Sequence, residues 1–221
     1  MERVTDAFAW PVRDPEWPVK ILVTGLLLLI PIAGAINGLG WMLATLDRLR
    51  AGEERLAPAN LGYLGRGVQL FAAQLVYSLA VAVVALVTYL PAVLIAVSQG
   101  QGSGSTALIL VSLLLNLLAF GVTTVCSLAL TFATPAIVLA TDRGGIRGGL
   151  AVREIVRRSR VNPTNTLIAG LMLIAAGLIS SLGLIVCFIG VLFTTAYALA
   201  VQAWVYRSFE LGSSAGVEPA S

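Results

Sequence analysis

The stretch TPAIVLATDRGGIRGGLAVREIVRRSRVNP, residues 134–163, concentrates arginine in a very apolar chain and separates two long hydrophobic blocks. Six arginines lie between Arg143 and Arg160, against only two acids, Asp142 and Glu154. An excess of basic residues beside membrane spans is typical of the cytoplasmic side of a membrane protein. The stretch therefore predicts a multi-pass membrane protein whose arginine-rich segment faces the cytoplasm.

The second half of this stretch has the period of an amphipathic helix. At about 100° per residue, Ala151, Val152, Ile155 and Val156 fall on one face. An apolar stripe edged by arginines suits the boundary between lipid headgroups and acyl chains. We therefore predict an interfacial helix near residues 149–161; the alternative is a solvated helical loop. The candidate contacts with lipid headgroups are Arg153, Arg157, Arg158 and Arg160.

The composition indicates one membrane domain, residues 1–210, rather than a soluble fold. Of the 221 residues, 58% are hydrophobic and 11% are charged, against about 25% charged in typical soluble domains. The chain has no histidine, and its two cysteines, Cys126 and Cys187, lie in apolar runs. We therefore expect no metal site, no cofactor and no nucleic-acid partner.

The first apolar segment, near residues 18–46, allows two interpretations. Pro31 removes a helical hydrogen bond, and Gly34 with Gly38 forms a small-residue face for helix packing. One interpretation is a single kinked span, which we favour; the other is a re-entrant hairpin that returns to its starting side. Before this segment, Asp14 and Pro15 predict a helix start, and Lys20 is expected to extend to the membrane surface.

About five membrane segments follow from the remaining apolar runs. After the first segment they lie near residues 67–97, 107–135, 164–182 and 184–206. The arginine-rich link 47–66 is expected on the cytoplasmic side and Gly102 on the outside, with a tight turn at Gly177–Gly183 and a disordered tail at 211–221. The predicted fold is an all-α polytopic transmembrane bundle plus the cytoplasmic interfacial helix.

The polar residues of the spans indicate packing rather than catalysis. After Lys20 the spans contain no ionisable group of the kind that membrane enzymes and pumps use, so we expect no catalytic residue. Asn37 and Asn116 are candidate helix-packing residues. The leading hypothesis is a non-enzymatic scaffold or accessory subunit that packs against lipids, a second copy or another membrane protein. The alternative is a carrier of a neutral or lipid-like molecule, with a path lined by Asn37, Gln74 and Asn116.

Several local patterns together resemble one prokaryotic membrane family. DPEWPVKILVTGLLLLIPIAGAINGLG (residues 14–40) resembles that family's opening motif, and RLRAGEERLAP (48–58) its charged link, with Ala57 inserted before the proline. The stretch 134–163 and GLIVCFIGVLFTTAYALAVQAWVYR (183–207) are similar to its two later landmarks. The family is catalogued as domain of unknown function 4013. The resemblance implies a multi-pass protein of the bacterial or archaeal cytoplasmic membrane and supplies no catalytic or binding residue.

Overall fold

The structure, a computed structural model, describes residues 6–99, 105–183 and 188–214. Within these ranges all regular structure is helical, which confirms the all-α prediction. A short 3-10 turn, Trp10–Arg13, follows the first helix. The helices are α1 (Asp6–Ala9), α2 (Trp17–Leu27), α3 (Ala33–Arg50), α4 (Leu64–Gln99), α5 (Thr106–Gly149), α6 (Val152–Val161), α7 (Pro163–Leu182) and α8 (Phe188–Ser214).

Three of these helices are long and apolar enough to cross a membrane. They contain the stretches Leu64–Ser98, Thr106–Gly149 and Pro163–Ser181, and a helix rises about 1.5 Å per residue against a hydrocarbon core about 30 Å thick. At 11 residues, α2 is too short to cross alone. The described helices thus indicate a membrane protein with three candidate spans, and the predicted count of about five is not confirmed.

The chain divides into two compact units. The second unit, Gln74–Thr131, consists of the far part of α4 and the near part of α5. Its buried positions include small residues, Ala92 on α4 and Ala119 on α5, and the hydroxyl of Ser112 donates to the Ala92 carbonyl at 3.4 Å. Small residues allow two helix backbones to approach closely in lipid. Most of the larger apolar side chains of this unit are exposed.

The first unit is formed by the described residues of Met1–Ala73 and Phe132–Ser221. Its central element is α8, which packs against α2, α3 and α7. Trp41, Met42, Val201, Val205 and Tyr206 are almost completely buried here. The residues of α8 that precede its charged end thus form much of the hydrophobic core.

The first apolar segment is a helical hairpin, so the single kinked span that we favoured is wrong. α2 ends at Leu27 and α3 begins at Ala33, and between them Ile32 has a φ of 61°, a value that β-branched residues rarely adopt. The ammonium of Lys20 near the start of α2 donates to the carbonyl of Leu56 after α3, at 3.3 Å. The start of α2 and the end of α3 therefore lie at the same end of the hairpin.

The hairpin turn satisfies much of its own backbone. The N–H groups of Leu28, Leu29 and Ile30 donate to carbonyls of α2, and that of Gly34 donates to the Ile30 carbonyl at 2.8 Å. Unpaired backbone groups are costly in hydrocarbon, and proline contributes no N–H that would need a partner. Pro31 is thus compatible with an apolar turn as well as with a kink, and this is why the local pattern could not separate the two.

Two further boundaries differ from the predictions. The expected turn at Gly177–Gly183 is helical as far as Leu182, and the hydroxyl of Ser181 donates to the Leu178 carbonyl of its own helix. α8 continues to Ser214, so the first residues of the predicted tail are helical and the rest lie outside the described residues. Gly102 and Cys187 also lie outside them.

Candidate functional site

Asn37, on α3 of the hairpin, forms hydrogen bonds with the link that follows α3. Its side-chain amide is buried and donates to the carbonyl of Asn60 at 2.8 Å, while its oxygen accepts from the N–H of Tyr63 at 3.3 Å. The indole of Trp41 adds a hydrogen bond of 2.9 Å to the Ala57 carbonyl. These bonds use the amide of Asn37 in packing inside the chain.

The candidate packing glycines of α3 lie against α2. A Cβ added to Gly34 would be 2.8 Å from the Cα of Leu28 and closer still to the Leu27 carbonyl oxygen. At Gly38 it would be 3.0 Å from a methyl of the Leu28 side chain and 3.1 Å from one of Leu199. The close approach within the hairpin therefore depends on the absence of side chains at these positions.

Asn116 is not part of a comparable contact. It lies on an exposed face of α5 in the second unit, and its amide donates to the Ser112 carbonyl one turn earlier at 2.9 Å. Within the described residues its amide forms a bond inside its own helix, and the helix-packing role of Asn116 stays a prediction. Asn37, by contrast, is a buried residue of the first unit.

The most heavily charged site of the first unit is a group of seven side chains that we call the ionic cluster. It joins the ends of α3 and α8, the start of α4 and the charged end of α5. Three carboxylates meet four guanidinium groups there. The members are Asp47, Arg50, Arg66, Asp142, Arg143, Arg207 and Glu210.

Arg50 bonds all three carboxylates of the ionic cluster. It binds Glu210 with two nitrogens, Nε to Oε2 at 2.9 Å and Nη2 to Oε1 at 3.2 Å. Its Nη1 donates to Asp142 at 2.7 Å and to Asp47 at 3.0 Å. A planar guanidinium can hold several carboxylates in fixed directions, which an ammonium cannot do.

Asp142 is the least exposed carboxylate of the ionic cluster. Its side chain is 5% exposed and accepts hydrogen bonds from Arg50 and from Arg66, the latter at 2.5 Å. Arg66 also bonds both oxygens of Asp47. Glu210 in turn accepts from Arg143 at 2.6 Å and from Arg207 at 3.2 Å. A carboxylate buried to this degree is stable only when such partners are present.

The ion pairs lower the pKa of two carboxylates of the ionic cluster. Burial by itself would raise the pKa of Glu210, but hydrogen bonds from Arg50 and Arg143 outweigh it and hold the pKa below its ordinary value. The pKa of Asp47 is likewise lowered, since bonds from Arg66 and Arg50 overcome the effect of burial. Both carboxylates therefore remain charged at neutral pH. A charged carboxylate can hold arginines in place, whereas a general acid has to be protonated.

A second polar site connects the start of α2 with the link. The carboxylate of Asp14 is 1% exposed and accepts from the Lys20 ammonium at 2.8 Å, the Leu56 N–H at 2.9 Å and the Glu16 N–H at 3.0 Å. Lys20 thus forms an ion pair inside the first unit, which replaces its predicted extension to the membrane surface. Burial alone would raise the pKa of Asp14, and these three hydrogen bonds lower it overall.

The comparison with protein families agrees with this architecture. The family described as a protein of unknown function, DUF4013, matches residues 23–202, which is most of the chain. The chain belongs to the DUF4013 family. This confirms the resemblance found in the sequence. Neither a curated protein nor a solved structure matches the chain.

The DUF4013 match covers part of each polar site. Asp47, Arg50, Arg66 and Asp142 fall within the matched residues, whereas Asp14, Lys20 and Glu210 fall outside them. The match therefore covers the cluster residues on α3, α4 and α5 and ends before Glu210 on α8.

Sequence reasoning missed both polar sites of this DUF4013 chain. Asp142 and the neighbouring arginines were interpreted only as a charge balance that orients the chain. One signal was available: isolated acids at helix ends, Asp47, Asp142 and Glu210, each lie close in sequence to arginines. Which acid meets which arginine depends on contacts between residues as far apart as Arg50 and Glu210.

The arginines of α6 divide into two groups. Arg157 and Arg158 both pair with Glu154, at 2.6 Å and 2.8 Å. Arg153 and Arg160 are exposed and have no carboxylate within 4.0 Å in the part of the chain that is described. The four predicted headgroup contacts are therefore not equivalent.

Proposed function

We propose that this chain is a non-enzymatic integral membrane scaffold or accessory subunit of a prokaryotic cell membrane. It packs against lipids and, through its apolar helix faces, against a second copy or another membrane protein. The arginine-rich segments face the cytoplasm. The observation that carries the proposal is the second unit, whose two apolar helices leave most of their large side chains uncovered.

The exposure of the second unit is extensive. In the most apolar windows of α4 and α5 only 6% of residues are buried within the chain. On α5, Leu114, Leu117 and Val125 are each about two thirds exposed. A helix that is apolar around its whole circumference requires lipid or other helices as neighbours. This surface is therefore suited to helix–helix association in a bilayer.

The polar groups of the first unit support the same proposal. The amide of Asn37 donates to the Asn60 carbonyl at 2.8 Å, and the carboxylate of Asp142 accepts from Arg50 at 2.7 Å. Such groups hold helices in place. Helices held by internal polar bonds in the first unit, and an exposed apolar surface in the second unit, are each typical of a packing subunit.

Site-specific photo-cross-linking in cells tests the scaffold proposal. A photoreactive residue at Leu117, which is 66% exposed, is expected to yield a discrete protein adduct. The matched control is Ala119, which is 1% exposed on the same helix and should give little adduct. An adduct of twice the chain's mass would identify a second copy, and a different mass another subunit. Lipid adducts alone at Leu117 would count against the scaffold.

The alternative function, a carrier for a lipid-like molecule, is favoured by one groove. An apolar groove of about 490 Å³ lies between α2 and α8, and this size is typical of ligand sites. It is lined by Trp17, Pro18, Ile21, Leu22, Phe193, Thr194 and Tyr197. Leu22→Trp is expected to fill the groove. A carrier would lose lipid transfer between vesicles, whereas a scaffold would keep the Leu117 adduct unchanged.

The proposed orientation is tested by cysteine labelling. In a background without the two native cysteines, Arg55→Cys places a thiol on the exposed part of the link. We expect an impermeant maleimide to label it in inverted vesicles and not in intact cells, because the arginine-rich segments face the cytoplasm. Labelling of intact cells at this position would reverse the proposed topology.

A further inference from the structure

The end of α5 and the helix α6 together form an exposed surface of mixed character. α5 breaks at Gly145, which has a φ of 62°, a conformation that glycine adopts without strain. The apolar side chains that follow are uncovered: Ile146 is 40% exposed, Leu150 37%, Val152 56% and Val156 41%. Exposed arginines alternate with them. We call this surface, residues 146–160, the basic apolar surface.

The basic apolar surface is held against the rest of the first unit. Ile155 is 3% exposed, and Gly149 lies so close to Thr141 that a Cβ there would collide with the threonine side chain. On the far side the hydroxyl of Thr166 donates to the Ser159 carbonyl at 2.9 Å. Its exposed residues are thus presented by a fixed backbone.

Three arginines of the surface carry uncompensated charge. Glu154 engages Arg157 and Arg158. Arg147, Arg153 and Arg160, which are exposed, have no carboxylate within 4.0 Å among the described residues. Glu154 neutralises one of its two arginines, so these three side chains carry most of the net positive charge that the surface offers to a ligand.

We propose that the basic apolar surface binds anionic phospholipid headgroups, with Arg147, Arg153 and Arg160 as the phosphate-contacting residues. The inference rests on the proposed function, because it requires the chain to lie in a membrane. Arginines interleaved with exposed aliphatic residues match a headgroup layer above acyl chains. The surface also lies between α5 and α7, two helices apolar enough to span, so both of its ends lead into membrane segments.

The arginines and the apolar side chains together indicate which ligand the surface binds. In water, Ile146, Val152 and Val156 would remain exposed, and a neutral lipid would offer no negative charge to the three arginines. Anionic lipid supplies both, and each basic residue near an anionic surface strengthens binding about fivefold. Substitution of all three arginines should therefore weaken binding by as much as about 100-fold.

The test uses the full-length protein in detergent, titrated with phosphatidylglycerol and, in parallel, with phosphatidylcholine. Bound lipid is counted by native mass spectrometry. The triple variant Arg147→Gln, Arg153→Gln, Arg160→Gln is expected to bind phosphatidylglycerol at least tenfold more weakly and phosphatidylcholine as before. The matched control is Glu154→Gln with Arg157→Gln, which removes one paired acid and one paired arginine, leaves the net charge of the surface unchanged and should change the affinity less than threefold.

Two further measurements separate the possible explanations. Raising salt should reduce the preference for phosphatidylglycerol, because screening acts over about 10 Å at 0.1 M. Val152→Ser with Val156→Ser should weaken the binding of both lipids. Equal loss in the triple variant and its control, or undiminished phosphatidylglycerol binding in the triple variant, would overturn the proposal. The Leu117 cross-link is read separately, so a failure of the scaffold function is distinguishable from a failure of lipid recognition.

Discussion

Asp14 shows how one side chain can define the position of a whole segment. Its carboxylate bonds the helix that follows it through Glu16 and Lys20, and it also bonds the Leu56 N–H, 42 residues along the chain. Because it is buried, the loss of its charge leaves three donors poorly satisfied. We expect this single residue to influence both the start of α2 and the course of the link.

We predict that Asp14→Asn destabilises the protein by about 1.5–3 kcal/mol at neutral pH, the range for hydrogen bonds to a charged group. The native pKa of Asp14 lies below its ordinary value of 3.8. The stabilisation by the charged form is therefore complete above about pH 4 and is lost as the pH falls through the native pKa. Thermal unfolding in detergent between pH 7 and pH 3 should show the difference between wild type and variant shrinking only below pH 4.

The matched control for Asp14 is Glu54→Gln. Glu54 pairs with Arg13 at 3.0 Å, but its side chain is 62% exposed, and exposed pairs contribute little to stability. We expect a change in stability of less than about 1 kcal/mol at any pH in this range. An equal effect of both substitutions would show that burial of Asp14 is not what makes its bonds important.

At the residue scale, the sequence predicted the helix start two residues too early. Asp14 before Pro15 indicated a start at Pro15, but α2 begins at Trp17 with Glu16 as its N-cap, although the Glu16 N–H does donate to Asp14. Its bonds to Lys20 and Leu56 were not predicted. A short polar side chain gives the same local pattern whether it caps one helix or joins two segments, and only the folded chain shows the second partner.

The hairpin of α2 and α3 is the element whose path most affects the first unit. Gly34 lies against the end of α2, and Asn37 one turn later holds the link. The sequence contained both residues and the proline, yet the same pattern fits a kinked span. The two alternatives differ in which end of the segment meets Leu56, and that contact depends on residues far apart in the chain.

We predict opposite effects for alanine at two glycines. Gly34→Ala places a methyl against the backbone of Leu27 and Leu28, and overpacking of this kind costs about 1–3 kcal/mol. Gly121→Ala, on an open face of α5 with no atom within 4 Å of the added Cβ, should be neutral or stabilising by up to about 1 kcal/mol. Melting temperatures in detergent compare the two; equal shifts would mean that the hairpin contact tolerates a side chain.

On the scale of the whole molecule, the ionic cluster is the site that connects the greatest number of separate segments of the first unit. Arg50 alone contacts carboxylates from α3, α5 and α8. Membership could not be deduced from the sequence, because arginine-rich segments beside spans are also expected for orientation alone. The presence of helices and their approximate bounds was predictable from hydrophobic runs. The pairing of their charged ends was not.

A double-mutant cycle measures the strength of the cluster. We predict a coupling free energy of about 1–3 kcal/mol between Arg50→Gln and Glu210→Gln, since the pair is bidentate and only partly exposed. Arg50→Lys should recover less than half of the loss, because an ammonium cannot bind both oxygens in the same geometry. Thermal unfolding of the four variants gives the coupling.

The control for this cycle is Arg55→Gln. Arg55 is an exposed arginine of the link that follows α3, and it has no carboxylate within 4.0 Å among the residues described. It should leave the melting temperature unchanged within error. A coupling near zero for Arg50 and Glu210, or a loss at Arg55 as large as that at Arg50, would show that the cluster does not hold the helices together.

The arrangement of the ionic cluster also sets an order of events during synthesis. Asp47, Arg50, Arg66 and Asp142 can meet as soon as α5 has left the ribosome, since their pairs need no later segment. Glu210 arrives only with α8, and until then Arg50 and Arg143 lack their bonds to it. A chain halted before α8 would therefore display three arginines, Arg50, Arg66 and Arg143, against two carboxylates, Asp47 and Asp142. We expect such chains to be degraded faster than chains that contain α8, because the ionic cluster is complete only when α8 has been made.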